Sequence, residues 1–139
     1  MRFVLVGQPN SGKSTIFNAV AGYRSPTANF PGTSVTYTTS RVLAGDREVE
    51  LVDLPGTYSL TSHDAAERTA QDFLASGELS VIVNVVDGTR LGRSLELTLQ
   101  LMELGQPLVV ALNMSDETRR KGIDIDAAAL ERELGVPVV

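Results

Sequence analysis

The sequence predicts a three-layer α/β domain: a mostly parallel sheet with one antiparallel edge strand, and helices on both faces. Two patterns lead there. Apolar strand-like runs at residues 2–6, 49–53, 81–87 and 108–113 alternate with amphipathic stretches at 13–21, 65–75, 95–104 and 127–134, the rhythm of βαβ units. Two of the runs, Val81-Ile82-Val83-Asn84-Val85-Val86 and Leu108-Val109-Val110-Ala111-Leu112, are apolar almost without a break, as central parallel strands covered on both faces must be.

Taken in order, the first run leads through a Gly-rich octapeptide into the helical stretch 13–21. Segment 23–36 holds Pro26, Pro31, Gly32 and several Ser and Thr, so it reads as a long loop, which in a compact domain has a task. Residues 37–43, the turn Ala44-Gly45-Asp46-Arg47 and residues 48–52 read as an antiparallel hairpin at one sheet edge. The chain ends on Gly135-Val136-Pro137-Val138-Val139, inside what reads as a last strand. In such a sheet ligands sit beyond the carboxyl ends of the strands, which gathers the loops after Val6, Val52, Val86 and Leu112.

The octapeptide Gly7-Gln8-Pro9-Asn10-Ser11-Gly12-Lys13-Ser14, followed by Thr15, is a phosphate-binding loop by residue type and by context. Glycines at its two ends let successive N–H groups turn inward toward phosphate oxygens, and the helix that follows adds its positive end. Lys13 would reach the β- and γ-phosphates, and the Ser14 hydroxyl would ligate Mg²⁺. A merely flexible turn explains neither the Lys-Ser pair nor the strand before and helix after it.

Two more motifs fall at strand ends. Asp53-Leu54-Pro55-Gly56 supplies a carboxylate able to hold Mg²⁺ through water and, at Gly56, a backbone N–H that can approach a γ-phosphate. Asn113-Met114-Ser115-Asp116 supplies a carboxylate that can accept from N1–H and the exocyclic amine of guanine, while adenine presents the wrong pattern. That selects GTP over ATP, because a competitor would leave the acid unpaired. Helix capping by Ser115 or Asp116 is the plainer reading and leaves Asn113 unexplained. In the long loop a hydroxyl should ligate Mg²⁺ only when the γ-phosphate is present; Thr33, Ser34 and Thr36 compete for the role, and spacing does not choose among them.

These motifs, in this order, look like a translation-factor-type small GTPase domain, and so a Ras-like fold of the P-loop NTPases. Together with Asn29-Phe30-Pro31-Gly32, Gly56-Thr57-Tyr58-Ser59-Leu60, Asn84-Val85-Val86-Asp87 and residues 99–105, they resemble the ferrous-iron transport protein B (FeoB) family over nearly the whole chain. The resemblance implies the N-terminal GTP-binding domain of a prokaryotic iron transporter, on the cytoplasmic side of the inner membrane. In that family it is followed by a helical and a membrane domain. Residues 1–139 are then expected to be one such domain, ending before the loop that completes the guanine pocket, with base affinity reduced accordingly.

The family's loop pattern aligns Ser34 with the Mg²⁺-sensing position, a departure from threonine that loses the rotamer-limiting methyl. Many GTPases carry a water-orienting glutamine where Thr57 stands, so intrinsic turnover should be slow, about 10⁻⁴ to 10⁻² per second. The resemblance implies that Asn10 ligates K⁺ beside the phosphates, with backbone groups at Gly56 and Thr57 placing the water; a loop-shaping Asx hydrogen bond is the alternative for Asn10. Expected ligands are therefore GTP or GDP, Mg²⁺ and K⁺, with a second copy through the switch region as a further partner.

Composition closes off other classes. A net charge of −5 and a lone basic run, Arg119-Arg120-Lys121, argue against a nucleic-acid surface. There is no cysteine, hence no thiol chemistry, and the longest apolar stretches fall far short of the ~20 residues that span a bilayer. His63 reads as an exposed loop residue, Asp124 and Asp126 as a solvated edge, Met102 and Met114 as core, while Tyr23 and Phe30 pack on either nucleotide or sheet. The rival functions are a cytosolic GTPase of ribosome assembly or tRNA modification, a nucleotide-dependent docking module, and an ATP-using kinase. Low basic content and residues 56–60 weigh against the first, Asn113 and Asp116 against the last.

Overall fold

In the computed structural model, residues 1–22, 25–61, 64–75 and 80–139 are described, together with the backbone, though not the side chains, of Ala66 and Ser80. Tyr23 and His63 therefore lie outside the described residues. Among the described residues six strands form one sheet: β1 (Arg2–Gly7), β2 (Thr27–Asn29), β3 (Thr36–Ala44), β4 (Arg47–Asp53), β5 (Ser80–Asp87) and β6 (Leu108–Asn113). Their order is β2-β3-β4-β1-β5-β6. β1 pairs parallel with both β4 and β5, and β5 with β6, while β3 runs antiparallel to β4.

The expected antiparallel strand is present, but it is not the outermost. β2, inside the segment read as loop, pairs antiparallel with β3 and forms the edge. Three residues carry no period of their own; their extended form comes from the Ala28–Tyr37 register. At the opposite edge Val138 bridges Val110, with ladder bonds of 2.8–2.9 Å linking residues 137–139 to β6.

Among the described residues five α-helices complete the layers: α1 (Lys13–Ala21), α2 (Ala65–Ala75), α3 (Leu91–Glu103), α4 (Ser115–Arg120) and α5 (Ala127–Leu134). The strand period of two sorts the core. Val4, Val6, Val52, Leu54 and Ile82 face Ala70, Leu74, Leu97 and Leu101, whereas Leu5, Leu51 and Val85 face Phe17. Burying one such side chain contributes about 1.5–3 kcal/mol, so the two clusters dominate the stability of the domain.

Phe30 is 2% exposed and packs against Tyr37 and Phe73, at ring centroid distances of 4.8 and 5.3 Å, so of its two readings it is the sheet. Asp126 caps α5 by accepting from Ala129 N–H at 2.9 Å, a structural role in place of a merely solvated one. No described helix is long and apolar enough to cross a membrane.

Candidate active site

β1 ends at Gly7, and the chain turns back through Asn10 at φ 64° and Gly12 at φ 83° before α1 begins at Lys13. Asparagine is enriched in this left-handed region and glycine is free there, so these residue types permit the wrap. The result is a cleft of about 400 Å³ lined by Gln8, Pro9, Asn10, Ser11, Gly12, Lys13, Ser14, Thr15 and Gly56. α1 opens into it without a side-chain cap, leaving its first N–H groups for an anion.

Lys13 is buried and donates to Asp53 Oδ1 and to the Leu54 carbonyl, while Ser14 Oγ donates to Asp53 Oδ2 at 3.1 Å. One carboxylate at the end of β4 thus holds both the lysine and the serine of the phosphate loop. Ser14 lines the cleft, and its Oγ and the Asp53 Oδ2 that it bonds are hard oxygens, the donor type Mg²⁺ requires. The residues fit that ion, which when bound neutralises charge on transferring phosphates. Ser11 Oγ is buried and has no hydrogen-bond partner among the described residues.

Gly56 meets the loop from the far side. A Cβ there would come within 3.0 Å of Pro9 Cα, so backbone meets backbone at the cleft. Thr57 is buried; its N–H donates to the Gly7 carbonyl at 3.0 Å, and its hydroxyl lies 2.8 Å from the Ser59 carbonyl and 2.7 Å from Glu67 Oε1. Glu67 was not legible in the motifs, since nothing local marks a partner ten residues on. Asn10 is exposed at the cleft, and among the described residues its side chain makes no hydrogen bond, which leaves the loop-shaping alternative without support.

The base-reading motif lies next to the phosphate loop. Asn113 Nδ2 donates to the Ser11 carbonyl at 2.9 Å, and a Cβ on Gly12 would fall 2.2 Å from the same nitrogen. Gly12, Thr15, Asn113, Met114, Ser115 and Asp116 line a second cleft that shares Gly12 and Thr15 with the first. Met114 adopts φ 64° at the head of α4 and half-buries its side chain there, a correction to its reading as core. Asp116 is 84% exposed on its side chain, with Arg119 at 3.4 Å.

In the loop 30–35, Phe30 N–H bonds the Val35 carbonyl at 2.9 Å, and Thr33 Oγ1 donates to Phe30 and accepts from Val35 N–H, both at 3.2 Å. Thr33 is thereby engaged within its own turn, whereas Ser34 is exposed and does not line the phosphate cleft. Thr36 begins β3.

Comparison with known proteins agrees with this geometry. A family profile described as "Ferrous iron transport protein B" matches residues 1–139. The chain belongs to that family. It is 45% identical to the Fe(2+) transporter FeoB of Salmonella typhimurium and equally to that of Escherichia coli, in each case over 97% of this chain and 18% of the transporter. The chain thus spans about a fifth of the length of those relatives. Among solved structures, an S. thermophilus NFeoB point mutant bound to GDP superposes with TM-score 0.93 at 40% identity, covering 100% of this chain and 54% of that one. The FeoB G-domain of Methanococcus jannaschii gives 0.84 at 42% identity, covering 99% and 83%. The sheet, the phosphate loop and the family together make this a P-loop GTPase domain.

Proposed function

We propose that this FeoB-family domain binds GTP with its phosphates on residues 7–15 and its base against Asp116. It hydrolyses GTP slowly, as the nucleotide switch of a ferrous iron transporter at the cytoplasmic face of the inner membrane. The observation that carries the reading is the joint placement of Lys13, Ser14 and Asp53 in one bonded cluster, with Asn113 tied to Ser11 beside it. A kinase or general nucleotide binder has no need of the second half of that arrangement.

Within this reading Ser14 and Asp53 hold Mg²⁺. Ser34 is the loop hydroxyl that senses the γ-phosphate, favoured because Thr33 is engaged elsewhere. Asn10 holds K⁺, favoured by its exposed carboxamide on the cleft wall. The backbone at Gly56 and Thr57 places the attacking water. Slow turnover follows from Thr57, whose hydroxyl is occupied by Ser59 and Glu67 and which has no carboxamide with which to orient water. The same reading includes self-association through the switch face, where Tyr58 stands exposed.

Titration calorimetry with Mg²⁺ present tests the core of it. GTP and GDP are expected to bind at least about a hundredfold more tightly than ATP, because guanine presents two N–H donors to Asp116 and adenine does not. Equal affinity for the two purines, or uptake of neither, overturns the proposal.

A further inference from the structure

Helix α3 carries two residues, Arg93 and Gln100, whose contacts neither phosphate binding nor base reading uses. At its first turn the Arg93 guanidinium lies over the Tyr58 ring, 5.1 Å from the centroid, and the Arg93 backbone carbonyl accepts from Gln8 Nε2 at 2.9 Å. Two turns further on, Gln100 Oε1 accepts from Leu60 N–H at 2.7 Å and from Ser59 Oγ at 3.1 Å. Residues seven apart share one face of a helix, so a single face of α3 grips residues 58, 59 and 60 in succession.

The gripped segment begins one residue after Thr57, whose own N–H is fixed to the Gly7 carbonyl. On its other side Gly56 lies so close to the Pro9 backbone that an added Cβ would fall 3.0 Å from Pro9 Cα. The chain 56–60 is therefore held between the phosphate loop and α3, and slack at Tyr58–Leu60 is passed to Gly56. Gln8, itself buried, makes Arg93 the residue at which both halves meet.

We propose that Arg93 and Gln100 are positioning residues for GTP hydrolysis, holding residues 58–60 on α3 so that the Gly56–Thr57 backbone stays over the phosphate cleft. The proposal rests on the GTPase reading. Tyr58 and Arg93 are both exposed, and an exposed cation–π pair adds little to overall stability, so their effect should be felt in turnover and not in folding. Gln100 differs in that Leu60 is buried, and loss of the acceptor leaves its N–H short of a partner.

The test measures kcat, KM, affinity for a fluorescent GDP analogue and melting temperature for Arg93→Ala, Tyr58→Ala and Gln100→Leu, with Tyr58→Phe and Gln100→Glu as conservative partners. The alanine and leucine variants are expected to lose about ten- to a hundredfold in kcat, with KM and GDP affinity within twofold of the parent. Tyr58→Phe keeps the ring and Gln100→Glu keeps an acceptor oxygen, so both should retain turnover. The double variant Tyr58→Ala, Arg93→Ala should fall no further than either single one. Unchanged kcat in Arg93→Ala and Gln100→Leu overturns the proposal, and so does a loss matched by an equal loss in affinity in either variant or, in Arg93→Ala, by a fall in melting temperature. Absence of GTP turnover by the parent overturns the functional reading beneath it, which separates the two failures.

Discussion

The Asn113 carboxamide donates to the Ser11 carbonyl at 2.9 Å across a sequence separation of 102 residues, tying the base-reading loop to the phosphate loop. Because the bond acts between two binding loops, its loss should show in affinity for whole nucleotides. Asn113→Ala leaves the Ser11 carbonyl without its partner, worth about 1–2 kcal/mol, roughly a 5- to 30-fold weaker Kd for both GTP and GDP. Calorimetry checks it; an unchanged Kd would show that the bond braces nothing.

Among the described residues Asp116 pairs only with Arg119, at 3.4 Å across an exposed helix turn, so its carboxylate is open to a ligand. Two charge-assisted bonds to a guanine edge at about 1.5–3 kcal/mol each imply that Asp116→Ala weakens GTP binding by at least about a hundredfold. ATP binding should move little. Competition of the two nucleotides against a fluorescent GDP analogue reads the difference directly.

Asn10 projects into the cleft from a left-handed backbone position with no hydrogen bond of its own among the described residues. GTP turnover is expected to be faster in KCl than in NaCl at equal ionic strength, and Asn10→Ala should abolish that difference while sparing GDP affinity. Equal rates in the two salts for the parent protein would remove K⁺ from the account.

The alternation of strands and helices was legible because buried parallel strands must be apolar throughout, and 81–86 and 108–112 are. The phosphate loop, Asp53, Gly56, Asn113 and Asp116 were legible because each is a residue type whose chemistry has few substitutes at that place. β2 was hidden, since Thr27–Asn29 is extended only by pairing with β3. α3 begins at Leu91, ahead of the periodic stretch, because Gly92 interrupts the pattern and Asp87 starts the preceding 3₁₀ turn by accepting from Thr89 N–H at 2.9 Å. α4 was legible only as a capping signal at Ser115 or Asp116, because its polarity gives no apolar period, and Met114 looked apolar enough for the core although its backbone places it at the cleft. Arg93, Gln100 and Glu67 could not be read at all: Gln100 meets Leu60 forty residues away, and no local pattern records such a partner.

Glu50 gives a pH prediction. Burial alone would raise its pKa, but the hydrogen bond and charge of Arg2, with Thr39 and Arg41, outweigh this and hold it below the ordinary carboxylate value. A depressed folded-state pKa means stability that is present above the unfolded value, near 4.3, and lost as pH falls through the folded one. Glu50→Gln should therefore lower the melting temperature most at pH 7, and the gap to the parent should close as pH falls below about 4. A gap independent of pH would assign the loss to packing.

Gly56→Ala separates catalysis from folding at a single carbon atom. The added Cβ would meet Pro9 Cα at 3.0 Å and Pro9 N at 3.1 Å, so the two loops must part by a few tenths of an ångström. Gly56 is exposed and is not among the positive-φ residues, so neither core nor backbone conformation resists alanine there. GDP affinity and melting temperature should stay near parental values while kcat falls about tenfold or more, because a displaced backbone N–H no longer meets the developing charge. Gly7→Ala is the contrasting variant. Its Cβ would lie 2.7 Å from the Val85 carbonyl and 2.8 Å from Ser11 Oγ, inside the packed sheet, and should lower stability and nucleotide affinity together. If Gly56→Ala behaves like Gly7→Ala, the contact with Pro9 belongs to the architecture of the cleft and not to its chemistry.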